Sequence, residues 1–260
     1  MDIWIGSARK MQLGKAHKKL KNIEEQDNKQ EIKLSNKNKS EIDEIIKGLR
    51  VIKMEKSLRK LGFFGILSLL SYLSMVIFSP LAYPGYNWMS MAVSELSADG
   101  SPAKELANRL NSLFGPCAVV SIMAVCVAVS DCKIRVFKTG IYLFAIMEWL
   151  CNVGYQCFPW VSGASAANFQ NMMHLIITVA VVLLSIVSLI MIAVGAKKIC
   201  KNLGIWAVVC LAVMFAGAMG TNIMPQSVFG IFERMSTISV VIFNAVLGWY
   251  LFRGKLAVDG

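Results

Sequence analysis

Six long apolar runs constrain the fold of this chain more than any other feature of its sequence. Each run is close to the roughly 20 residues that a helix needs to cross a bilayer. Residues 61–260 hold only 11 Lys/Arg and 7 Asp/Glu, well below the roughly 25% charged residues of soluble domains. The sequence therefore predicts an all-α fold, an integral membrane bundle of six transmembrane helices over residues 61–252, and excludes a soluble enzyme. The runs cover about 61–79, 112–130, 139–157, 174–196, 203–221 and 235–252.

The basic residues are divided unevenly between the two ends of these predicted spans. One end has the 16 Lys/Arg of residues 1–60 and 8 more, whereas the other end has only 3, namely Lys104, Arg109 and Arg234. Because cytoplasmic loops are enriched in Lys and Arg, both termini are predicted to be cytoplasmic in a multi-pass protein of the cell membrane. The net charge of +11 then reflects topology. The expected partners are membrane lipids and not nucleic acid, while protein partners stay open.

Residues 1–60 are predicted to form a basic, largely disordered cytoplasmic segment. Residues 15–40 are rich in Lys, Asn, Gln and Glu, a composition too polar to bury a core. From Glu41 onward, Ile residues recur at three- and four-residue spacing, which predicts an amphipathic helix over 41–60. This helix either lies on anionic lipid headgroups or only anchors the first span, and we favour the anchor. Residues 253–260 are predicted to form a cytoplasmic tail.

The first loop at the end with few basic residues, 79–111, is long and rich in turn residues. Within it, residues 86–96 (YNWMSMAVSEL) are predicted to form an interfacial helix, since Tyr and Trp prefer headgroup depth. Ser101 followed by Pro102 is a typical helix start, so the second span is expected to begin as an outer helix near Ala103.

Short motifs at this end of the spans occur in the order found in a known family. They are Pro84-Gly85-Tyr86, Ser94-Glu95-Leu96, Phe158-Pro159, His174 and Gly230-Ile231-Phe232-Glu233-Arg234. Over about residues 61–252 they resemble signatures of the domain-of-unknown-function 998 (DUF998) family of six-span membrane proteins. Two further fragments more distantly resemble the Frag1/DRAM/Sfk1 family, which implies a role in lipid handling or membrane organisation. These fragments are Ser94-Glu95-Leu96 with Gly100, and Asn168-Phe169-Gln170 before His174.

Glu148, near the middle of the third predicted span, is the most informative single residue. A carboxylate there costs about 3 kcal/mol unless it is protonated, paired or hydrated. Asn152 and Gln156 follow at four-residue spacing, so all three share one helix face. Either this stripe lines an outward-facing pocket for a lipid headgroup, a polar solute or a proton, or Glu148 is a neutral acid hydrogen-bonded to another helix through Asn222 or Asn244.

His174 opens the fourth predicted span and is the only histidine expected at this end. Because catalytic zinc usually takes three protein ligands, we expect no metal site and no cofactor. Ser94, Glu95 and His174 have the residue types of a catalytic triad. A triad is defined by the distances between its members, which the sequence does not provide. Catalytic residues are therefore left unassigned.

Glu233 and Arg234 stand at the entry to the sixth predicted span. Arg234 either binds a phosphate headgroup, since a guanidinium forks onto phosphate oxygens, or forms an ion pair with an acid of the first loop. The pair, which we favour, would tie the first and last loops together. The candidate acids are Glu95, Asp99 and Glu105.

Small residues predict the helix contacts, because they permit close approach of two helices. The predicted contact residues are Ala212, Ala216 and Gly220, Gly62 with Gly65, and Asn244 with Gly248. Cys117 and Cys157 both fall near outer helix ends, so a disulfide is open. Free thiols packed as small apolar groups are favoured.

The favoured function is binding of a lipid or other amphiphile in an outward-facing polar pocket. The alternatives are a small-solute or proton-coupled transporter that uses Glu148, a lipid-modifying membrane enzyme, and a structural membrane component. Enzymatic activity is open, with a non-enzymatic role favoured. The hypothetical ligand-binding residues are Glu148, Asn152, Gln156, His174, Glu95, Glu233 and Arg234.

Overall fold

The computed structural model describes residues 18–22, 25–26 and 54–256. Residues 18–22 and 25–26 are helical, although they belong to the segment for which disorder is predicted. The rest of that segment, including residues 41–53 of the predicted amphipathic helix, lies outside the described residues. Residues 257–260 of the predicted tail also lie outside them. The predictions for these parts of the chain stay predictions.

Six helical segments in the described part of the chain are long and apolar enough to cross a membrane. Each overlaps one of the six predicted runs, and most extend it by a few residues. No strand occurs among the described residues, where the one isolated β-bridge joins Asp99 to Val161. The predicted all-α bundle of six spans is therefore confirmed. The segments are Met54–Ala82, Lys104–Ala128, Arg135–Cys157, Phe169–Ala196, Lys201–Ile223 and Gln226–Phe252.

Residues 54–61 are helical and are followed by eight numbered helices in the described part of the chain. Short 3-10 turns occupy Ser79–Ala82 and Gln226–Val228. A separate helix before the second span is present as predicted, because α3 begins directly after Ala103. The helices are α1 (Phe63–Phe78), α2 (Ser94–Ser97), α3 (Lys104–Leu110), α4 (Phe114–Ala128), α5 (Arg135–Cys157), α6 (Phe169–Ala196), α7 (Lys201–Ile223) and α8 (Phe229–Phe252).

The two ends of the bundle differ in length and chemistry of their connections. At one end, here called the loop end, lie residues 79–113, 158–168 and 224–228. The opposite end, here called the basic end, contains 129–134 and 197–200, with their lysines. Hydrogen bonds between the long loops hold the loop end together, as described below.

Consecutive spans pack side by side, both where the connection is short and where it is a long loop. Helix α5 lies along α6, and α7 lies along α8, while α8 also contacts α1 and α4. A Cβ added to Gly248 of α8 would collide with the carbonyl oxygen of Gly62. A Cβ added to Gly65 would lie 3.1 Å from the carbonyl oxygen of Asn244. The predicted contact of these glycines is therefore confirmed.

The predicted contact stripe of α7 is wrong in two of its three residues. Ala212 and Ala216 are exposed, whereas Gly217 and Gly220 are buried against α8. A Cβ added to Gly217 would lie 2.5 Å from the carbonyl oxygen of Phe232. Helix α8 meets α7 along the glycine face because only glycine leaves room for the Phe232 ring and backbone.

The predicted interfacial helix over 86–96 is also largely wrong. Only Ser94–Ser97 is helical, and residues 86–93 form turns and irregular backbone. Backbone groups of this stretch are bonded to side chains of α8, which compete with helical hydrogen bonding. The loop is thereby shaped by a distant helix.

Candidate functional site

The polar stripe of α5 runs from the interior of the bundle to its loop end. Glu148 is 3% exposed, Asn152 is half-buried and Gln156 is exposed. Asn152 Nδ2 donates to the backbone oxygen of Glu148 at 2.8 Å and lies 3.4 Å from Glu148 Oε2. A Cβ added to Gly115 of α4 would lie 2.5 Å from Asn152 Oδ1, so this part of α5 faces α4.

Glu148 forms no hydrogen bond with another helix in the described part of the chain, so the predicted bond to Asn222 or Asn244 is wrong there. Asn222 instead donates to the backbone oxygen of Ala218 at 2.9 Å. Asn244 lies 3.4 Å from the backbone oxygen of Ala118. The side-chain contact of Glu148 is with Asn152 of its own helix, and this leaves Oε1 of the carboxyl group without a hydrogen-bonding protein partner among the described residues.

Further polar side chains from three helices approach the same half of the bundle. Cys151 of α5 lies within electrostatic range of Glu148 and of Tyr72 on α1. Glu233 of α8 lies within range of Tyr72 and of Tyr155 on α5. We call Tyr72, Glu148, Cys151, Tyr155 and Glu233 the inner polar cluster. In this cluster the predicted site residues Glu148 and Glu233 are linked only through Cys151, Tyr72 and Tyr155, with no direct bond between them among the described residues.

His174 lies at the loop end of α6, where α5 and α6 pack together. Its Nδ1 is 2.9 Å from the backbone oxygen of Phe158, so Nδ1 carries the hydrogen and Nε2 is the acceptor of the neutral ring. The ring packs against Tyr155 and Trp160, with centroid distances of 4.7 and 5.7 Å. His174 thereby holds the end of α5 and the following loop against α6.

Glu95 joins the first long loop to the loop after α5. Its Oε1 accepts a hydrogen bond from Trp160 Nε1 at 2.9 Å, and its Oε2 accepts one from Ser162 Oγ at 2.8 Å. Because Trp160 also contacts His174, the predicted residues Glu95 and His174 both touch one indole ring.

Asp99 strengthens the same connection between loops. Its backbone N–H donates to the backbone oxygen of Trp160 at 2.7 Å, and its own backbone oxygen accepts from Ser162 N at 3.1 Å. Its carboxylate binds Lys104 Nζ at 2.6 Å and lies 3.3 Å from Gln170 Nε2. The hydrogen bond from Lys104 lowers the pKa of Asp99 from its usual range.

Glu233 and Arg234 tie the first loop to the start of α8, as the favoured interpretation predicts. Glu233 Oε2 accepts a hydrogen bond from Val93 N at 2.9 Å. Arg234 Nη1 donates to the backbone oxygens of Trp88 at 2.8 Å and Met91 at 3.0 Å. The same Nη1 also donates to the backbone oxygen of Gly230 at 2.7 Å.

This connection between Arg234 and the first loop is not the expected ion pair. Arg234 Nη2 donates to the hydroxyl of Tyr86, and the described acids of the first loop bind other groups. Glu95 is bonded to Trp160 and Ser162, Asp99 to Lys104, and Glu105 to Arg109. Backbone carbonyls therefore satisfy the buried guanidinium in place of a carboxylate. Burial raises the pKa of Tyr86, and the positive charge of Arg234 acts in the opposite direction.

An apolar groove lies on the outside of the bundle between α7 and α8. Its volume is about 360 Å³, toward the lower end of typical ligand sites. We call it the α7–α8 groove. It is lined by Trp88, Trp206, Val209, Cys210, Val213, Ile231, Arg234, Met235, Ile238, Ser239 and Ile242.

The arrangement of the described residues assigns no catalytic group. No hydrogen bond joins Ser94 to His174 there, and the carboxylate of Glu95 is bonded to Trp160 and Ser162. No group of three or more His, Cys, Asp or Glu that could hold a metal ion occurs among those residues. Cys117 and Cys157 are free thiols, the first buried and the second exposed.

The arrangement of spans and loops can be compared with known proteins. A family model described as "Protein of unknown function (DUF998)" matches residues 66–250. The chain belongs to the DUF998 family. No curated protein and no solved structure matches it.

The DUF998 match covers nearly all of α1, the helices from α2 to α7, and most of α8. It includes all seven hypothetical ligand-binding residues and leaves the N-terminal segment outside. The resemblance to the Frag1/DRAM/Sfk1 family is not shown by these matches.

Sequence reasoning missed several residues that organise this site. Asn171 is fully buried, accepts from Val161 N at 2.8 Å and approaches three loop carbonyls with its Nδ2. Tyr86 and Trp160 bind Arg234 and Glu95 respectively. Both are aromatic residues with a polar edge, and both lie in loops beside a proline motif. That position is the sequence signal that could have identified them. The sequence contains no such signal for Asn171, because a single amide side chain at the start of a helix is common.

Proposed function

We propose that this DUF998 protein binds a lipid or other amphiphile in a polar pocket that opens at the loop end of the bundle. The observation that best supports this proposal is the gradient along α5, from buried Glu148 through half-buried Asn152 to exposed Gln156. One face of one helix thus offers polar groups from the interior to the surface.

Several of these polar atoms have no protein partner among the described residues. Glu148 Oε1, Asn152 Oδ1 and the Gln156 side chain form no hydrogen bond there. None of these atoms is both fully buried and unpaired, so each is accessible to a hydroxyl, an amine or a water in the pocket. A ligand with hydrogen-bonding groups therefore fits this face.

The neighbouring surface of α5 favours an amphiphile over a wholly polar solute. Trp149 and Val153, which flank the stripe on the same helix, are 49% and 51% exposed. In a bilayer these side chains contact acyl chains. A molecule with one polar and one apolar end matches both surfaces.

A proton-coupled carrier is a second candidate, and Glu148 alone supports it. A carboxyl group inside a membrane bundle is a common proton or substrate site. The long 3.4 Å contact with Asn152 leaves Glu148 free to change protonation state. Such a carrier would move solute in proteoliposomes and lose transport in Glu148→Gln.

The proposal is tested by mass spectrometry of molecules that copurify with the wild-type chain and with Glu148→Gln. Glu105→Gln is the matched control, because Glu105 is an exposed carboxylate at the loop end. We expect an amphiphile on the wild type and the control, with at least tenfold less on folded Glu148→Gln. Equal retention by all three proteins would contradict the proposal. A change in lipid mass that depends on His174 or Ser94 would instead favour a lipid-modifying enzyme.

A further inference from the structure

Two short stretches at the basic end of the bundle carry six cations between them. Residues 129–138 contain three basic residues and one acid, Asp131, and residues 197–201 contain three lysines and no acid. None of the six cations forms an ion pair with a described acid. We call them the basic cluster, which consists of Lys133, Arg135, Lys138, Lys197, Lys198 and Lys201.

Helix packing brings the two stretches of the basic cluster together. A Cβ added to Gly195, in the last turn of α6, would lie 2.7 Å from the backbone nitrogen of Phe137, in the first turn of α5. Arg135 and Lys138 are within one helical turn of Phe137, and residues 197–198 are within one turn of Gly195. Cations therefore flank a backbone contact between two helices.

The start of α7 belongs to the same region. A Cβ added to Gly204, in the first turn of α7, would lie 3.3 Å from the backbone oxygen of Ala193 in the last turn of α6. Lys201 is the first residue of α7, less than one turn before Gly204. The basic cluster is thus assembled from the ends of three helices that are in contact.

The charges of the basic cluster are available at the surface. Five of the six side chains are exposed, and Lys138 is half-buried. Lys138 Nζ donates to the backbone oxygen of Ser130 at 3.2 Å, and this neutral partner leaves its positive charge uncancelled. Six positive charges against the one negative charge of Asp131 attract an anionic partner.

The position of the basic cluster favours a lipid headgroup as that partner. Apolar side chains next to it in the three helices are exposed, namely Val136 of α5, Val194 of α6 and Ile205 of α7. In a bilayer such side chains contact acyl chains, so the cations lie where hydrocarbon meets headgroups. Membrane orientation requires only that basic residues be abundant at this end, and it does not require the two stretches to meet.

We propose that the basic cluster binds the phosphate group of one anionic phospholipid from the leaflet at the basic end, and that both stretches contact the same headgroup. Basic residues near a membrane surface attract anionic lipids. Hydrogen bonds from Lys and Arg to phosphate oxygens are among the strong ones in proteins. The proposed pocket on α5 opens at the opposite end of the bundle, so this inference does not depend on the proposed function.

Exposed cations provide variants that leave the packing intact. One double variant, Lys133→Gln/Arg135→Gln, neutralises the first stretch, and Lys197→Gln/Lys198→Gln neutralises the second. The matched control is the double substitution to Gln at 56 and 60, because both of these lysines are exposed at the start of the first span. That span packs against α4 and α8, away from the contact between α5 and α6.

The experiment titrates the delipidated full-length chain in detergent with phosphatidylglycerol or phosphatidylcholine carrying identical acyl chains. Native mass spectrometry counts the bound lipids. We expect the tightest phosphatidylglycerol site of the wild type to prefer this lipid at least tenfold over phosphatidylcholine. Each double variant should bind it at least tenfold more weakly, since every basic residue near the surface contributes several-fold to binding. The control should match the wild type.

The number of sites tests whether the two stretches act together. If each stretch bound its own lipid, either double variant would lose one of two equal sites and keep the other, and the shared site would be wrong. Equal binding of the two lipids by the wild type, or an equal loss in the control, would overturn the assigned headgroup or its location.

Two soluble competitors distinguish the source of the negative charge. We expect neither glycerol phosphate nor a hexaglutamate peptide, at the concentration of the lipid, to displace phosphatidylglycerol. Displacement by glycerol phosphate would assign the basic cluster to a soluble phosphate compound. Displacement by hexaglutamate would assign it to an acidic protein partner, and either result would contradict the lipid site.

Discussion

Arg234, near the start of α8, donates a hydrogen bond to the backbone oxygen of Trp88 at 2.8 Å, across 146 residues of sequence. The same guanidinium group reaches Met91, Gly230 and Tyr86. One buried cation thereby satisfies carbonyls of an irregular loop that has few helical bonds of its own. The first loop takes its shape from the sixth span.

Replacing Arg234 by lysine is expected to loosen the first loop. A lysine keeps the charge but has one nitrogen and cannot reach the separated acceptors that the planar guanidinium binds. Loss of one or two hydrogen bonds to a charged group should lower the free energy of unfolding by about 3 kcal/mol. Thermal denaturation in detergent measures this loss, and limited proteolysis locates it in residues 83–93.

Arg109→Lys is the matched control for that experiment. Arg109 is exposed and pairs with Glu105 one helical turn away, an arrangement worth about 0.5 kcal/mol or less. An Arg234→Lys protein as stable and as protease-resistant as Arg109→Lys would show that the carbonyl bonds do not hold the loop.

Gly230→Ala is expected to separate α8 from the first loop by collision. A Cβ at this position would meet the backbone oxygens of Met91 and Trp88, and backbone atoms cannot move aside as a side-chain end can. Overpacking of this kind costs about 1–3 kcal/mol, measured as a lower melting temperature in detergent. Gly204→Ala is the control, because its Cβ would be 3.3 Å from the nearest atom, and alanine favours the helix. An equal effect of both substitutions would contradict the close approach.

Labelling of Cys157 tests the predicted topology. Cys157 is an exposed thiol at the loop end, so an impermeant maleimide added to intact cells should modify it if both termini are cytoplasmic. In the variant Lys133→Cys, the new thiol is at the exposed basic end and should react only after the cells are permeabilised. Peptide mapping by mass spectrometry distinguishes the two positions. The reverse pattern would place both termini outside.

The six spans were predictable because burial in lipid is a property of each segment alone. A run of about 20 apolar residues must satisfy its backbone hydrogen bonds internally, and a helix does so without help from the rest of the chain. The glycine pair Gly62 and Gly248 was predictable for a similar reason, since small side chains permit close contact wherever they meet. The contact face of α7 was not, because the choice between Ala212 and Gly217 depends on where Phe232 of α8 lies.

The candidate site likewise has one part that local sequence spacing predicts and one part that it does not. The spacing of Glu148, Asn152 and Gln156 on one face of α5 follows from helical geometry, and the structure retains it. The partners of Arg234 were predicted as acids, yet the described acids of the first loop are engaged by Trp160, Ser162, Lys104 and Arg109. Competition among distant groups for the same hydrogen bonds cannot be read from local spacing.

By itself, the sequence determined that this chain is a bundle of six membrane-spanning helices with a polar stripe on the third span. The reason is that hydropathy and helical period act over one segment at a time. Only the tertiary structure decided that Arg234 binds the carbonyls of the first loop, that Glu95 and His174 share Trp160, and that α7 and α8 enclose a groove. These features depend on which surfaces meet after packing, and they join residues that no local pattern connects.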